Sequence, residues 1–440
     1  MTTTRRAARH FDGLLCFGDS DWWYHNRGHA DMQFMRRFAR HWPVLYVNSL
    51  GMRTPQVREG RMFLRRVLRK ARSVARYYRD SGEGFSVLSP VYLPWIDGRA
   101  GHWITSLLAA QVRAALRASG MRRPLVWVTC PSAAGVLPAL PKAGVVYQLS
   151  DCYAALREGD AQGAAELERE LARQADLIVC SSTRLQERAR KLFGRGEYVE
   201  HGVDFELFAS AARAADTPPE IPLDRRPLVG FFGNLDSNTV DRGLLEGVIR
   251  LRPRYTFVLV GPMARDFESL RRFDNLLAIP QRPYTQIARY GAAFDVCLMP
   301  WLHNEWIEHC NPIKLKEYLT LGKPVVSTPF PELRHCGHLC YEALGAEAFA
   351  AAIDQALRED SPARCAERQA WARRHTWDAQ FGRVLELLES TGLGCSSCSC
   401  PRWSPALKRL SGPRSRIYAC GMWPYARLAD PVVRCRRCQL

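Results

Sequence analysis

Two hydrophobic patterns alternate along this chain. Short unbroken apolar runs such as Leu14–Phe17, Val44–Val47, Leu125–Val128, Val145–Leu149 and Leu228–Phe232 read as strands buried on both faces. Similar runs stand at 175–180, 255–260, 294–299 and 325–327. Between them, apolar residues recur at intervals of three and four, predicting helices over 30–40, 103–118, 161–174, 183–193 and 347–390. Strand, helix and strand in repetition argue for an α/β fold with doubly wound parallel sheets. The pattern lapses over 211–227, rich in Ala and Pro, which reads as a linker between a first domain at 1–210 and a second at 228–360. The last helical stretch, 361–390, is expected to return to the first domain. Beyond 391, apolar periodicity stops, and a Cys- and Arg-rich tail without fixed structure is expected to 440.

One stretch, Asn311–Thr328 (NPIKLKEYLTLGKPVVST), carries chemistry as well as structure. Asn311 is suited to cap a helix, and Pro312 to its first position. Leu315, Tyr318 and Leu319 form one apolar stripe. Gly322 fits a C-terminal cap, and Pro324 prevents continuation into the strand at Val325–Ser327. The free N–H groups of such a helix start favour an anion. Lys314 in the first turn and Glu317 one turn on share a face. A cation for phosphate beside a carboxylate for sugar hydroxyls suits a nucleotide-sugar.

The string PxKxxEYLxxGKPVV resembles the donor-site motif of retaining GT-B glycosyltransferases, specifically the GT4-like, family 1 type of bacterial polysaccharide biosynthesis. The likeness spans about 11–390 and implies two Rossmann-like doubly wound domains facing a central cleft. By this resemblance Glu317 binds the ribose, and the helix start with Lys314 faces the diphosphate. Gly233 lets backbone approach the phosphates, and Arg282 lies in the loop that contacts the nucleobase. Where relatives carry a phosphate-clamping Arg and Lys, this chain has Asn234 and Val240, with Arg242 as the nearby substitute. His309 replaces a second glutamate, so His309 and Asn311 are the expected donor-sugar contacts. Trp22, Arg27 and His29, in the loop after the first strand, are expected on the acceptor side. Asp151 stands at the strand end where relatives carry a His, and His201 belongs to the HGVD turn. These two are the candidate catalytic residues. The resemblance implies transfer of a sugar from a nucleoside-diphosphate donor to an envelope polysaccharide or lipid-linked glycan, with retention and without a metal or further cofactor.

Charge changes this picture in one respect. The chain of 440 residues has a formal charge of +18, which calls for an anionic partner. Much of it lies at 58–79, where an apolar stripe from Phe63 to Tyr78 is crowded by Arg58, Arg61, Arg65, Arg66, Arg69, Lys70, Arg72, Arg76 and Arg79. Such a basic amphipathic helix suits an anionic membrane surface. No run reaches the roughly 18 apolar residues of a membrane span, and Leu14–Phe17 is too short for a signal peptide. The expected location is cytoplasmic, peripheral at the inner face of the plasma membrane. Cysteines within strands, including Cys130, Cys180 and Cys297, fit reduced thiols. Pairs at Cys395/Cys398 and Cys435/Cys438 have zinc-ligand spacing, weighed against a tail with no structure. Two other readings are weighed: a nucleotide-sugar epimerase of the same architecture, disfavoured by the 58–79 stretch, and a non-catalytic binder of membrane or nucleic acid. Nucleic acid ranks last, since the basic residues gather in one helix without interleaved stacking aromatics.

Overall fold

A computed structural model describes residues 9–24, 28–51, 72–92, 98–152, 161–214 and 216–393. The apolar runs of the first half become eight strands: β1 (Leu14–Phe17), β2 (Val44–Val47), β3 (Tyr78–Asp80), β4 (Ser86–Leu88), β5 (Leu125–Val128), β6 (Gly144–Leu149), β7 (Leu177–Cys180) and β8 (Glu197–Tyr198). They form one sheet in the order β3-β4-β2-β1-β5-β6-β7-β8, parallel except for the β3–β4 edge. β1 is central, with Leu14 opposite both Val44 and Leu125. Six strands make the second sheet: β9 (Leu228–Phe232), β10 (Thr256–Val260), β11 (Leu276–Ile279), β12 (Val296–Met299), β13 (Val325–Ser327) and β14 (Cys340–Glu342). Its order is β11-β10-β9-β12-β13-β14, all parallel. Each sheet reverses its winding direction beside its central strand, at β1/β5 and at β9/β12. Those reversals open a crevice at the strands' carboxyl ends, where ligands bind in such sheets.

Burial explains why the runs are unbroken. Helices cover both faces, so every residue of β1, β2, β5, β6, β9, β10 and β12 is buried. An aromatic cluster joins the chain's beginning to its end. Phe34 and Phe38, on the helix Ala30–Phe38, meet Trp377 and Phe381 with ring centroids 5.6 and 4.8 Å apart. Trp377–Ser390 is thus a helix that packs on the first half, and Arg37 pairs with Asp378 at 2.9 Å.

Several boundaries differ from the sequence reading. The stretch 347–390 is three helices, Ala346–Glu359, Pro362–Ala372 and Trp377–Ser390, because Ser361 and Thr376 each cap a new start. Of these, Pro362–Ala372 sits on the second half, where Arg368 donates to the Gly322 carbonyl at 2.7 Å. The linker begins as a helix, Phe205–Ala214, whose Phe205 and Phe208 are buried in the second half's core. Residues 203–214 therefore pack with the second domain, although they stand before the Pro-rich part of the linker. Most of the predicted helix at 58–79 lies outside the described residues. Its described end is helical over 72–76, then turns at Tyr77 (φ +40°) into β3, so the helix stops short of 79. The Cys-rich tail lies outside the described residues, and its possible zinc ligands with it. Among the described residues, no helix is long and apolar enough to cross a membrane.

Candidate functional site

The site is built on the helix Ile313–Thr320. Leu315, Tyr318 and Leu319 are buried, as their spacing predicts, and the Tyr318 hydroxyl accepts from the Phe232 N–H at 3.0 Å. That bond ties the helix to the end of β9. Gly322, at φ +74°, closes the far end, with the Lys323 N–H on the Tyr318 carbonyl at 3.1 Å. The near end departs from expectation. Pro312 occupies the capping position, and no side chain closes on the leading N–H groups. Asn311 is turned away: its amide donates to Glu332 at 3.2 Å, and its oxygen accepts from Lys316 Nζ at 2.6 Å. An uncapped start leaves backbone donors and the positive end of the helix dipole for an anion.

A cavity of about 330 Å³ opens at this start, walled by Gly28 and His29 from the first half and by Gly233, Lys314, Glu317 and Tyr284 from the second. Gly233 has φ +138°, and a Cβ there would come within 2.5 Å of Lys314 Nζ. The position needs glycine twice over, for backbone conformation and for the ammonium laid across it. That ammonium sits 3.9 Å from the centroid of the Phe231 ring. Burial lowers Lys314 to about 8, against the opposing pull of Glu317. Burial lifts the Glu317 carboxyl to about 7, with Lys314 and Tyr284 resisting. Only 6% exposed, Glu317 is a buried acceptor that ligand hydroxyls can satisfy. The Tyr284 hydroxyl lies buried near it and closes no well-formed hydrogen bond among the described residues. Its ring packs so closely on Gly28 that a Cβ there would lie 2.9 Å from Cε2.

The other predicted residues divide. Asn234 and Arg282 line the same cavity. Asn234 is held by Asp236 at 2.6 Å, and the Arg282 guanidinium by Tyr290 at 2.7 Å and Glu220 at 2.9 Å. Arg242 is not brought there: its guanidinium reaches Glu246 on its own helix and Ser269 on the neighbouring 265–272 turn. Trp22 is also corrected. It is fully buried against Tyr46 and Phe85, while its neighbours Trp23 and Tyr24 line a second cavity of about 830 Å³ with Arg36, Asp204 and Tyr284. Arg27 lies outside the described residues.

His201 and Asn311 belong to the seam between the halves. His201 Nδ1 lies 2.8 Å from the Asn311 carbonyl, and burial lowers the ring to about 4, so it is neutral at physiological pH. Its Nε2 is buried with no hydrogen-bond partner among the described residues. Beside it, Glu332 accepts from the Thr183 N–H at 2.7 Å, the Tyr198 hydroxyl at 3.1 Å and Asn311. Lys316 pairs with Glu200 at 3.2 Å. Burial would raise Glu200, but Lys316 and His375 overcome it and hold the carboxyl at about 2. Sequence reasoning missed Glu332, Glu200 and Tyr284. Only Tyr284 left a signal, a Pro-Tyr pair opening a helix in the loop already assigned to the base.

On the first half's wall, Asp151 follows β6 and burial raises it to about 6. Asp19, which the sequence reading passed over, follows β1. Burial, then Asp151 and Asp31, raise it to about 7. Asp19 keeps an exposed face although neighbouring protein surrounds it. These two carboxyls hold or release a proton near neutral pH, which suits them to orient a hydroxyl. His309 stands further along, Nδ1 on the Glu305 carbonyl at 2.8 Å. With Cys152 and Glu305 it forms a group whose ligand atoms lie within 4.8 Å of one another. Sulfur, oxygen and nitrogen in that set are donors a zinc-like ion accepts.

Two Rossmann-like sheets facing such a cleft define the GT-B fold of glycosyltransferases. Solved structures agree: HepE of Anabaena, in complex with UDP and glucose, superposes with a TM-score of 0.61 over 87% of this chain and 100% of that one, at 16% identity. Sucrose-phosphate synthase of Thermosynechococcus elongatus gives 0.63 over 86% and 98%, also at 16%. Identities that low speak for the fold alone. Residues 226–359, within the second domain, match the family described as Glycosyl transferases group 1. TuaH of Bacillus subtilis (strain 168), described as a glycosyltransferase of teichuronic acid biosynthesis, is 28% identical over 264 residues. That match spans 55% of this chain and 66% of the relative's length.

Proposed function

We propose that the protein transfers a sugar, with retention, from a nucleoside-diphosphate sugar to a polysaccharide or lipid-linked glycan acceptor. One observation carries the reading: Lys314 laid over Gly233 at an uncapped helix start, with Glu317 buried on the next turn. In this reading the diphosphate meets the leading N–H groups and Lys314, and the ribose hydroxyls donate to Glu317. Arg282 and Tyr284 flank the base. Charge developing on the leaving phosphate is stabilised by donors already in place. The bond from the anomeric carbon to the phosphate oxygen breaks as the acceptor oxygen bonds on the same face, and the acceptor proton passes to the departing phosphate. Asp19 and Asp151 orient the acceptor hydroxyl. The larger cavity, with Trp23 and Tyr24 on its wall, offers aromatic faces to a glycan. The match to TuaH and the sugar nucleotide held by the structurally similar HepE support this reading.

The test is a thermal-shift series with UDP-, GDP- and ADP-sugars, read beside release of nucleoside diphosphate. A bound donor at ~100 times its dissociation constant adds about 2.7 kcal/mol of stability. One nucleotide should raise the melting temperature and be released from its sugar. If no sugar nucleotide shifts the melting of a folded sample, the proposal is wrong.

A further inference from the structure

The helix Gly98–Ala118 buries one side against the first sheet and, among the described residues, leaves the other exposed. Leu108, Val112, Ala115 and Leu116 are buried. On the opposite side Trp103 is 77% and Leu107 51% exposed. Ala110 and Ala114, also exposed, continue the stripe at helical spacing. Val91, 50% exposed, joins it because the Gln111 side chain clamps that backbone, accepting from the Val91 N–H at 2.9 Å and donating to its carbonyl at 3.0 Å. Exposed Trp and Leu one helical turn apart call for an occupant.

Charge says which one. The helix, GRAGHWITSLLAAQVRAALRA, contains no acidic residue. Arg113 and Arg117 are exposed along one flank of the stripe, Arg113 with one guanidinium nitrogen on the Ala139 carbonyl at 3.0 Å and its remaining donors open among the described residues, and Arg122 and Arg123 follow in the next turn. A second copy packed face to face would set these arginines against their own equivalents. Five apolar side chains, two of them alanines, also fall far short of the ~800 Å² per partner that a stable interface buries. An anionic bilayer meets both requirements, since aromatic and aliphatic groups enter the headgroup layer while arginine pairs with phosphate. We propose that the outer face of the helix Gly98–Ala118 docks on an anionic lipid surface, with Trp103 and Leu107 inserted and Arg113 and Arg117 on lipid phosphates. This helix is a different segment of the chain from the 58–79 stretch named from the sequence, most of which lies outside the described residues, and the proposal does not rest on the donor site.

The experiment is co-sedimentation of the full chain with vesicles of phosphatidylglycerol or of phosphatidylcholine. The native chain should sediment with the first and not the second, and 0.5 M salt should weaken the binding. Trp103→Ser with Leu107→Ser should lower partition about tenfold or more while leaving the melting temperature and any donor-induced shift unchanged. Arg113→Glu with Arg117→Glu should do the same more steeply at low salt. Equal partition of the native chain and the double-serine variant overturns the proposal, as does absence of binding to phosphatidylglycerol. A fall of several degrees in the melting of the double-serine variant, or a change in its mass in solution, also overturns it, because protein then covers the patch. An intact donor shift in a chain that ignores vesicles removes this proposal and leaves the donor site standing.

Discussion

Replacing Glu317 by glutamine separates the cost of a buried carboxylate from the contact it offers a ligand. Burial moves this carboxyl from 4.5 to about 7. An acid raised in the folded state holds a proton there that it has lost in the unfolded chain, so stability falls as pH rises from 4.5 to 7 and stays low above that. At ~1.4 kcal/mol per unit, the penalty is on the order of 1 kcal/mol at pH 5.5 and about 3 kcal/mol at pH 8.5. Glutamine keeps the volume and carries no charge. The stability of Glu317→Gln relative to the native chain should therefore rise by on the order of 2 kcal/mol between those pH values. At ~2–4 °C per kcal/mol for a domain of this size, melting curves at pH 5.5 and 8.5 resolve it. The same variant should bind a sugar nucleotide about tenfold more weakly, since an ionised acceptor makes the stronger hydrogen bond. A difference between variant and native chain that is flat with pH refutes the buried charge, and an undiminished donor shift refutes the ribose contact.

Lys314→Met should weaken nucleoside-diphosphate binding by on the order of 100-fold in calorimetry, from the loss of one charge-assisted phosphate contact and its field. Because burial lowers Lys314 to about 8, the native chain gains stability as pH rises from 8 towards 10.5, and the methionine variant should lose that part of the gain. Arg242→Ala should change donor affinity less than twofold, since its guanidinium reaches Glu246 and Ser269 and not the cavity. Glu332→Ala should cost about 3 kcal/mol in denaturant unfolding, because it strands the Thr183 N–H, the Tyr198 hydroxyl and the Asn311 amide.

What was legible in the sequence is what local chemistry dictates. Unbroken apolar runs placed β1, β2, β5, β6 and β9, and one striped segment closed by Gly322 placed the central helix with Lys314 and Glu317. Short strands such as β3, β4 and β14 escaped because three residues carry too little pattern. Asn311 escaped for a different reason: an asparagine before Pro312 is a good cap locally, but Glu332, 21 residues on, and Lys316, inside the helix itself, compete for its side chain and win. Trp22 and Trp23 are neighbours with opposite fates, set by which side of the chain faces Tyr46 and Phe85. Arg242 and the seam through Glu332 and Glu200 depend on contacts across the fold, which spacing does not encode.

The central claim places a sugar nucleotide across the start of the helix Ile313–Thr320. A crystal structure of the protein soaked with UDP and a UDP-sugar tests it most directly. The account predicts phosphate oxygens on the leading N–H groups and Lys314 Nζ, with a ribose hydroxyl on the Glu317 carboxylate. Nucleotide bound elsewhere, with Glu317 facing only protein or water, would contradict it.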